Sequence, residues 1–332
     1  FDVFEHLEDS RQALSAYVKC YKDDVVFFPN PSTALNTVLR SLKFHQGDEI
    51  LSTNHEYGAM DRAWSFLCKK TGANYIKQEI SLPLTSKEDF ITEFKKGISN
   101  KTKVIFMSHI TSPTALIFPV KEICEIARER NIITIIDGAH VPAQLELDIT
   151  DINPDFYSGA CHKWMCSPKG VAFLYVSNKF QDQIEPLVVS WGYEADNPSH
   201  SQLLDYLQWQ GTNDMSAYLT IPDTINFLKA HNWNLITQEC RKLNIWARDQ
   251  ILSEFNIDPL CDEIFLGQMS SIFFNINNPL NDQMNFYDKY KIQIPFQQWN
   301  DKTLFRISIQ AYNNKQDVYK LIDALKDYQK IN

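Results

Sequence analysis

Short apolar runs alternate with helix-patterned stretches through the first half of the chain. Residues 25–28, 49–52, 74–80, 104–109, 132–136, 156–157 and 171–176 read as strands bounded by turn residues. Phe4, Leu7, Leu14 and Val18 mark an amphipathic helix over 1–20. Ala34, Leu35, Val38, Leu39 and Leu42 stripe a second helix, for which Asn30 suits the N-cap and Pro31 the first turn. Further helices are expected at 61–70, 120–130 and 216–230. Such alternation builds a mainly parallel sheet flanked by helices, with ligands beyond the carboxyl ends of its strands. From about 232 the order changes to a helix, strands near 270–276, 291–294 and 304–309, and a closing helix from Lys315. The pattern therefore predicts an α/β fold in three parts: an N-terminal helix (1–20), a large domain (21–230) and a smaller α+β C-terminal domain (231–332).

Composition narrows the partners. A net charge of −9 with no basic block argues against nucleic acid or an acidic membrane surface. No apolar run approaches the ~18 residues a membrane span needs. Seven scattered cysteines form no disulfide framework and fit a reduced, cytoplasmic setting; Cys161, His162 and Cys166 match no zinc spacing, so no metal is expected. The start at Phe1 is not a signal peptide, and the missing methionine leads us to expect an upstream segment. Only ten glycines occur, and five of them (138, 159, 170, 192 and 211) fall in the stretches singled out below, where close backbone approach is useful.

The candidate chemistry centres on Asp137 and Lys163. The run 132–136 ends in Asp137-Gly138-Ala139-His140, and Lys163 follows on a compact loop between the runs at 156 and 171. An aspartate ending a buried strand and a lysine on a later loop are the pair a pyridoxal 5′-phosphate (PLP) site needs. The lysine attaches the cofactor covalently and the carboxylate keeps the pyridine nitrogen protonated. At ~4 Å and an effective dielectric near 20 such an ion pair contributes about 4 kcal/mol, against about 1 kcal/mol in bulk water, so burial makes the carboxylate effective. His140 and His162 are placed to reach the ring hydroxyl and the phosphate. Ser32 and Thr33 sit in the first turn of a helix, where free amides favour an anion but also serve simple capping. Arg306, near the end of a C-terminal strand, suits a bidentate grip on a substrate carboxylate. Lys169 is the rival to Lys163 and abuts Pro168 and a strand entry.

Five motifs, spread in order over most of the chain, resemble the class V aminotransferase-type enzymes of PLP fold type I, and most closely the isopenicillin N epimerase-like branch. They are Asp137-Gly138-Ala139-His140, Cys161-His162-Lys163-Trp164, Pro168-Lys169-Gly170, Gly211-Thr212 and Arg306-Ile307-Ser308. The resemblance implies that Lys163 rather than Lys169 is the cofactor lysine, that Ser32 and Thr33 meet the phosphate, and that Tyr57 stacks on the ring. It places the Ser112 loop beside the cofactor and Arg306 on the substrate carboxylate. It further implies a homodimer with shared sites, in which Gly211 and Thr212 reach the neighbouring subunit's phosphate, and an N-terminal arm before residue 1. The polar stretch 194–201 is expected to be a mobile loop over the site. The implied activity is epimerisation or racemisation at the α-carbon of an amino acid. C–S lysis or β-elimination is the alternative, followed by transamination and cysteine desulfuration. Desulfuration needs a nucleophilic cysteine shortly before the arginine, and none lies between Cys261 and Arg306. A non-catalytic scaffold sits poorly with Lys163, Asp137 and Arg306 together. Asn213, Ala160 and Pro31-Ser32 depart from the branch's usual residues.

Overall fold

The computed structural model describes residues 3–331; positions 1, 2 and 332, at the ends of the predicted terminal parts, lie outside the described residues. In chain order the first elements are α1 (Val3–Val18), β1 (Val25–Phe28), α2 (Pro31–Ser41), β2 (Glu49–Thr53), α3 (Gly58–Thr71), β3 (Asn74–Gln78), α4 (Lys87–Lys95) and β4 (Thr102–Ser108). Next come α5 (Val120–Glu129), β5 (Ile133–Gly138), α6 (Ile149–Ile152), β6 (Phe156–Ala160) and β7 (Ala172–Val176). Seven strands form one sheet in the order β1-β7-β6-β5-β4-β2-β3. It is mostly parallel: β7 alone opposes its neighbours β1 and β6.

Period-2 alternation sorts the strand residues onto two faces. Ile105, Met107, Ile136 and Tyr157 enter one apolar cluster, while Val104, Phe106, Ile135 and Phe156 enter the other. With both faces covered, the central strands read as continuous apolar runs, which is why they are visible in the sequence. The α1 helix joins the first cluster through Leu7, Leu14 and Val18.

The remaining elements are α7 (Gln202–Gln208), α8 (Ser216–Leu219), α9 (Ile221–Ala230), α10 (Trp233–Phe255), β8 (Met269–Phe273), α11 (Pro279–Tyr290), β9 (Phe296–Trp299), β10 (Lys302–Ser308) and α12 (Lys315–Ile331). A small antiparallel sheet, β8-β10-β9, packs with α10, α11 and α12 around a third apolar cluster drawn from residues 247–328. Two expectations change here. The strand expected at 291–294 is instead irregular: Lys291, at φ 56°, ends α11, and pairing begins only at Phe296. The helix expected over 216–230 is two helices meeting at Thr220, with Pro222 in the first turn of the second. The sequence also left α11 unassigned. It buries only Phe286, so its pattern carries almost no apolar stripe.

Candidate active site

The carboxyl ends of the sheet strands converge on a cavity of about 310 Å³, at the lower end of the ~300–1,000 Å³ usual for small-molecule sites. Of the residues singled out in the sequence, Ser32, Tyr57, Ser112, Asp137, His140, His162, Lys163 and Arg306 line it. Asp137 arrives there by register: it pairs with Ser108 on β4 and Ser158 on β6, so the ladder on both sides fixes its backbone. Its Oδ1 accepts the Ala139 amide at 3.0 Å. Burial raises the Asp137 carboxyl, with the Ala139 amide and the Lys163 charge pulling it back down.

Lys163 stands on the loop closing β6 to β7. That loop is pinned at its base, where the Cys161 and His162 amides both donate to the Val171 carbonyl. His162 Nδ1 meets the same carbonyl at 2.7 Å, which orients its ring over the cavity. Lys163 reaches solvent through the cavity it lines, yet the surrounding protein mass lowers its amine. Its Nζ lies 3.2 Å from His140 Nε2. Lys169 is exposed and does not line the cavity.

On the opposite side, Arg306 extends from β10. Its Nη1 donates to the Ser112 carbonyl at 2.5 Å, no described carboxylate pairs with it, and its buried Nε has no partner. A guanidinium left in that state on a cavity wall is incomplete without an anion.

Three expected contacts fall elsewhere in this protomer. The Thr33 amide and hydroxyl both turn to the Asn30 cap, at 2.8 and 3.1 Å, so Ser32 alone of the pair faces the cavity. Gly211 and Thr212 lie in a partly to fully exposed stretch and do not line it. The stretch 194–201 does not line it either; His200 instead meets Asp23 near β1. Residues that sequence reasoning passed over include Asn30, Ser108 and, behind the wall, Glu56. The Glu56 carboxyl accepts Ser108 N and Oγ at 2.9 and 2.6 Å and Thr53 Oγ1 at 2.7 Å, and burial pushes it up to about 7. The place of Ser108 near the end of the apolar run 104–109 was the available signal for it; nothing in the pattern distinguished Glu56.

These residues fit PLP. The lysine is accessible, the strand-end carboxylate is buried, the α2 N-terminus offers a phosphate the Ser32 hydroxyl and amide, and Arg306 awaits a second anion.

Comparisons with known proteins agree. Residues 2–321 match the profile of the family described as aminotransferase class-V. An isopenicillin N epimerase from Amycolatopsis lactamdurans is 28% identical over 97% of this chain and 84% of its own. A hercynylcysteine sulfoxide lyase from Schizosaccharomyces pombe is 24% identical over 97% and 84%. Among solved structures, a cystine C–S lyase in complex with cysteine persulfide superposes with a TM-score of 0.83 at 19% identity, covering 98% of this chain and 87% of that one. A variant of that lyase carries glycine covalently linked to its PLP cofactor. This chain belongs to the aminotransferase class-V family, PLP-dependent enzymes of fold type I.

Proposed function

We propose that this enzyme acts at the α-carbon of an amino acid, as an epimerase or racemase of the isopenicillin N epimerase-like kind. The observation that carries the reading is the placement of one amine, one buried carboxylate and one unpaired guanidinium around a single cavity. Arg306 grips the substrate carboxylate and so fixes which α-substituent faces Lys163. Asp137 holds the proton of the pyridine nitrogen, the Ser32 hydroxyl and amide at the α2 N-terminus hold the phosphate, and Tyr57 covers the ring. When bound, the cofactor supplies an electron sink that acidifies the α-proton. Lys163, with its amine lowered, removes that proton and returns it. Inversion needs a second acid on the other side of the α-carbon. Tyr57 brings the one phenol among the described residues lining the cavity, and we assign it that role.

A second reading, C–S lysis or β-elimination, needs only Lys163 as base, and the sulfoxide lyase relative supports it. Desulfuration needs a thiol at the substrate. No described cysteine lines the cavity, and the thiol of Cys261, 3% exposed, is pushed up to about 12 by burial. The working unit in this reading is a homodimer, with Gly211 and Thr212 of each chain completing the other's phosphate site; their exposure and their absence from their own cavity support it.

The test is a panel of amino acids in D2O with the PLP-loaded enzyme. Deuterium at Cα with inversion and no ammonia is expected. Ammonia with pyruvate or another keto acid instead establishes the lyase, and an inert loaded enzyme rejects both.

A further inference from the structure

Trp164, beside the site lysine, takes no part in the chemistry above. Its side chain is nearly enclosed, at 8% exposure, and Nε1 donates to His140 Nδ1 at 3.3 Å. The other ring nitrogen of His140, Nε2, is the one 3.2 Å from Lys163 Nζ. An indole nitrogen can only donate, so His140 Nδ1 must accept. A neutral imidazole carries one N–H, which then sits on Nε2 and points at Lys163. An ammonium has three donors and no lone pair, so the contact is satisfied only by a neutral amine. The other tautomer would set two N–H groups against each other at Trp164.

We infer that Trp164 is a positioning residue that fixes the tautomer of His140, and that His140 in turn holds Lys163 as a free amine, ready to capture the cofactor. Once Lys163 is engaged, the same tautomer leaves His140 with an N–H donor facing the cavity, suited to the anionic oxygen of a hydroxypyridine ring.

The surroundings agree. Burial holds His140 neutral, and the Arg306 charge adds to the effect. Lys163 is lowered chiefly by burial; Asp137 on β5 opposes this and Arg306 on β10 reinforces it. His162, on the lysine's own loop, is lowered too and adds no positive charge. The inference rests on Lys163 being the cofactor lysine and is independent of which reaction follows.

Two measurements test it, neither needing turnover. In cofactor-free protein with 15N-labelled histidine, NMR should find the His140 proton on Nε2; a proton on Nδ1 overturns the inference. Trp164→Phe keeps the ring and removes the donor, freeing His140 to offer Nε2 as an acceptor to the ammonium. The pH midpoint for capture of added PLP, followed by visible absorbance and borohydride labelling, should then rise by about one unit, or roughly tenfold slower capture below the midpoint. An unmoved midpoint, even with poorer stability, reduces Trp164 to packing and overturns the inference. Should the variant not fold, the NMR result on the parent decides. Lys163→Ala that still captures PLP covalently would instead remove the lysine assignment, leaving the tautomer result to stand by itself.

Discussion

Asp137 and Thr212 were both expected to touch the cofactor, yet they stand in opposite physical settings. Asp137 ends a strand paired on both sides and is 5% exposed, with apolar clusters above and below its sheet. Thr212 lies in an exposed stretch after α7, beside Gly211 at φ 106°. Further back in the same region Val189 and Trp191 are 68% and 89% exposed. The inner wall is thus complete within one chain, because the ladder and the core determine it. The outer stretch buries little and shows apolar surface of the kind that marks an interaction site. A cofactor site assembled from both would be rigid where charge must be placed and open where a second chain must dock.

Substitutions can break or sharpen that contrast. Lys163→Ala should have the largest effect: loss of the borohydride-fixable cofactor and a fall in kcat on the order of 10³-fold or more, while circular dichroism stays unchanged. Asp137→Asn comes next. Removing an ion pair of about 4 kcal/mol should weaken PLP binding or kcat on the order of 10³-fold; a variant that binds and reacts normally would show that the inner wall does not hold the ring nitrogen.

Glu56→Gln probes the same wall without cofactor. A carboxyl whose folded pKa is raised to about 7 contributes stability that is present below the unfolded value, near 4.5, and lost as pH rises through 7. Between pH 4.5 and 8 the parent should therefore lose a few kcal/mol more than the glutamine variant, read by denaturant titration. Parallel pH curves would remove Glu56 as a titrating group. Arg306→Lys, which keeps the charge but not the fork, should raise KM about 10- to 100-fold with a smaller change in kcat.

The smallest effect belongs to the outer stretch. Thr212→Ala should weaken PLP binding by up to about tenfold, one hydrogen bond's worth, and leave the fold's stability unchanged. Mixing Thr212→Ala with Lys163→Ala chains should recover part of the activity if each chain serves the other's site; no recovery at all would confine every site to one chain.

The central strands and the Asp137 and Lys163 loops were legible because buried runs bounded by turn residues leave a local signature. So was the Asn30 cap, whose Oδ1 accepts the Thr33 amide as its position suggested. The same cap hid a consequence, since it occupies the Thr33 side chain and leaves Ser32 to face the cavity. The irregular stretch before β9 and the helix α11 were misread or missed because both lie half-exposed, where packing rather than periodicity decides.

Which residues the chain owns, and their spacing, settled the family, the cofactor lysine candidate and the strand that presents Asp137; these follow from local pattern and motif alone. Only the fold decided that Arg306 meets the Ser112 carbonyl, that Glu56 stands behind Ser108, and that Trp164 and His140 form a chain of donors ending at the lysine. Such contacts depend on strand order and register, which bring distant residues within hydrogen-bond reach and leave no periodic trace in the sequence.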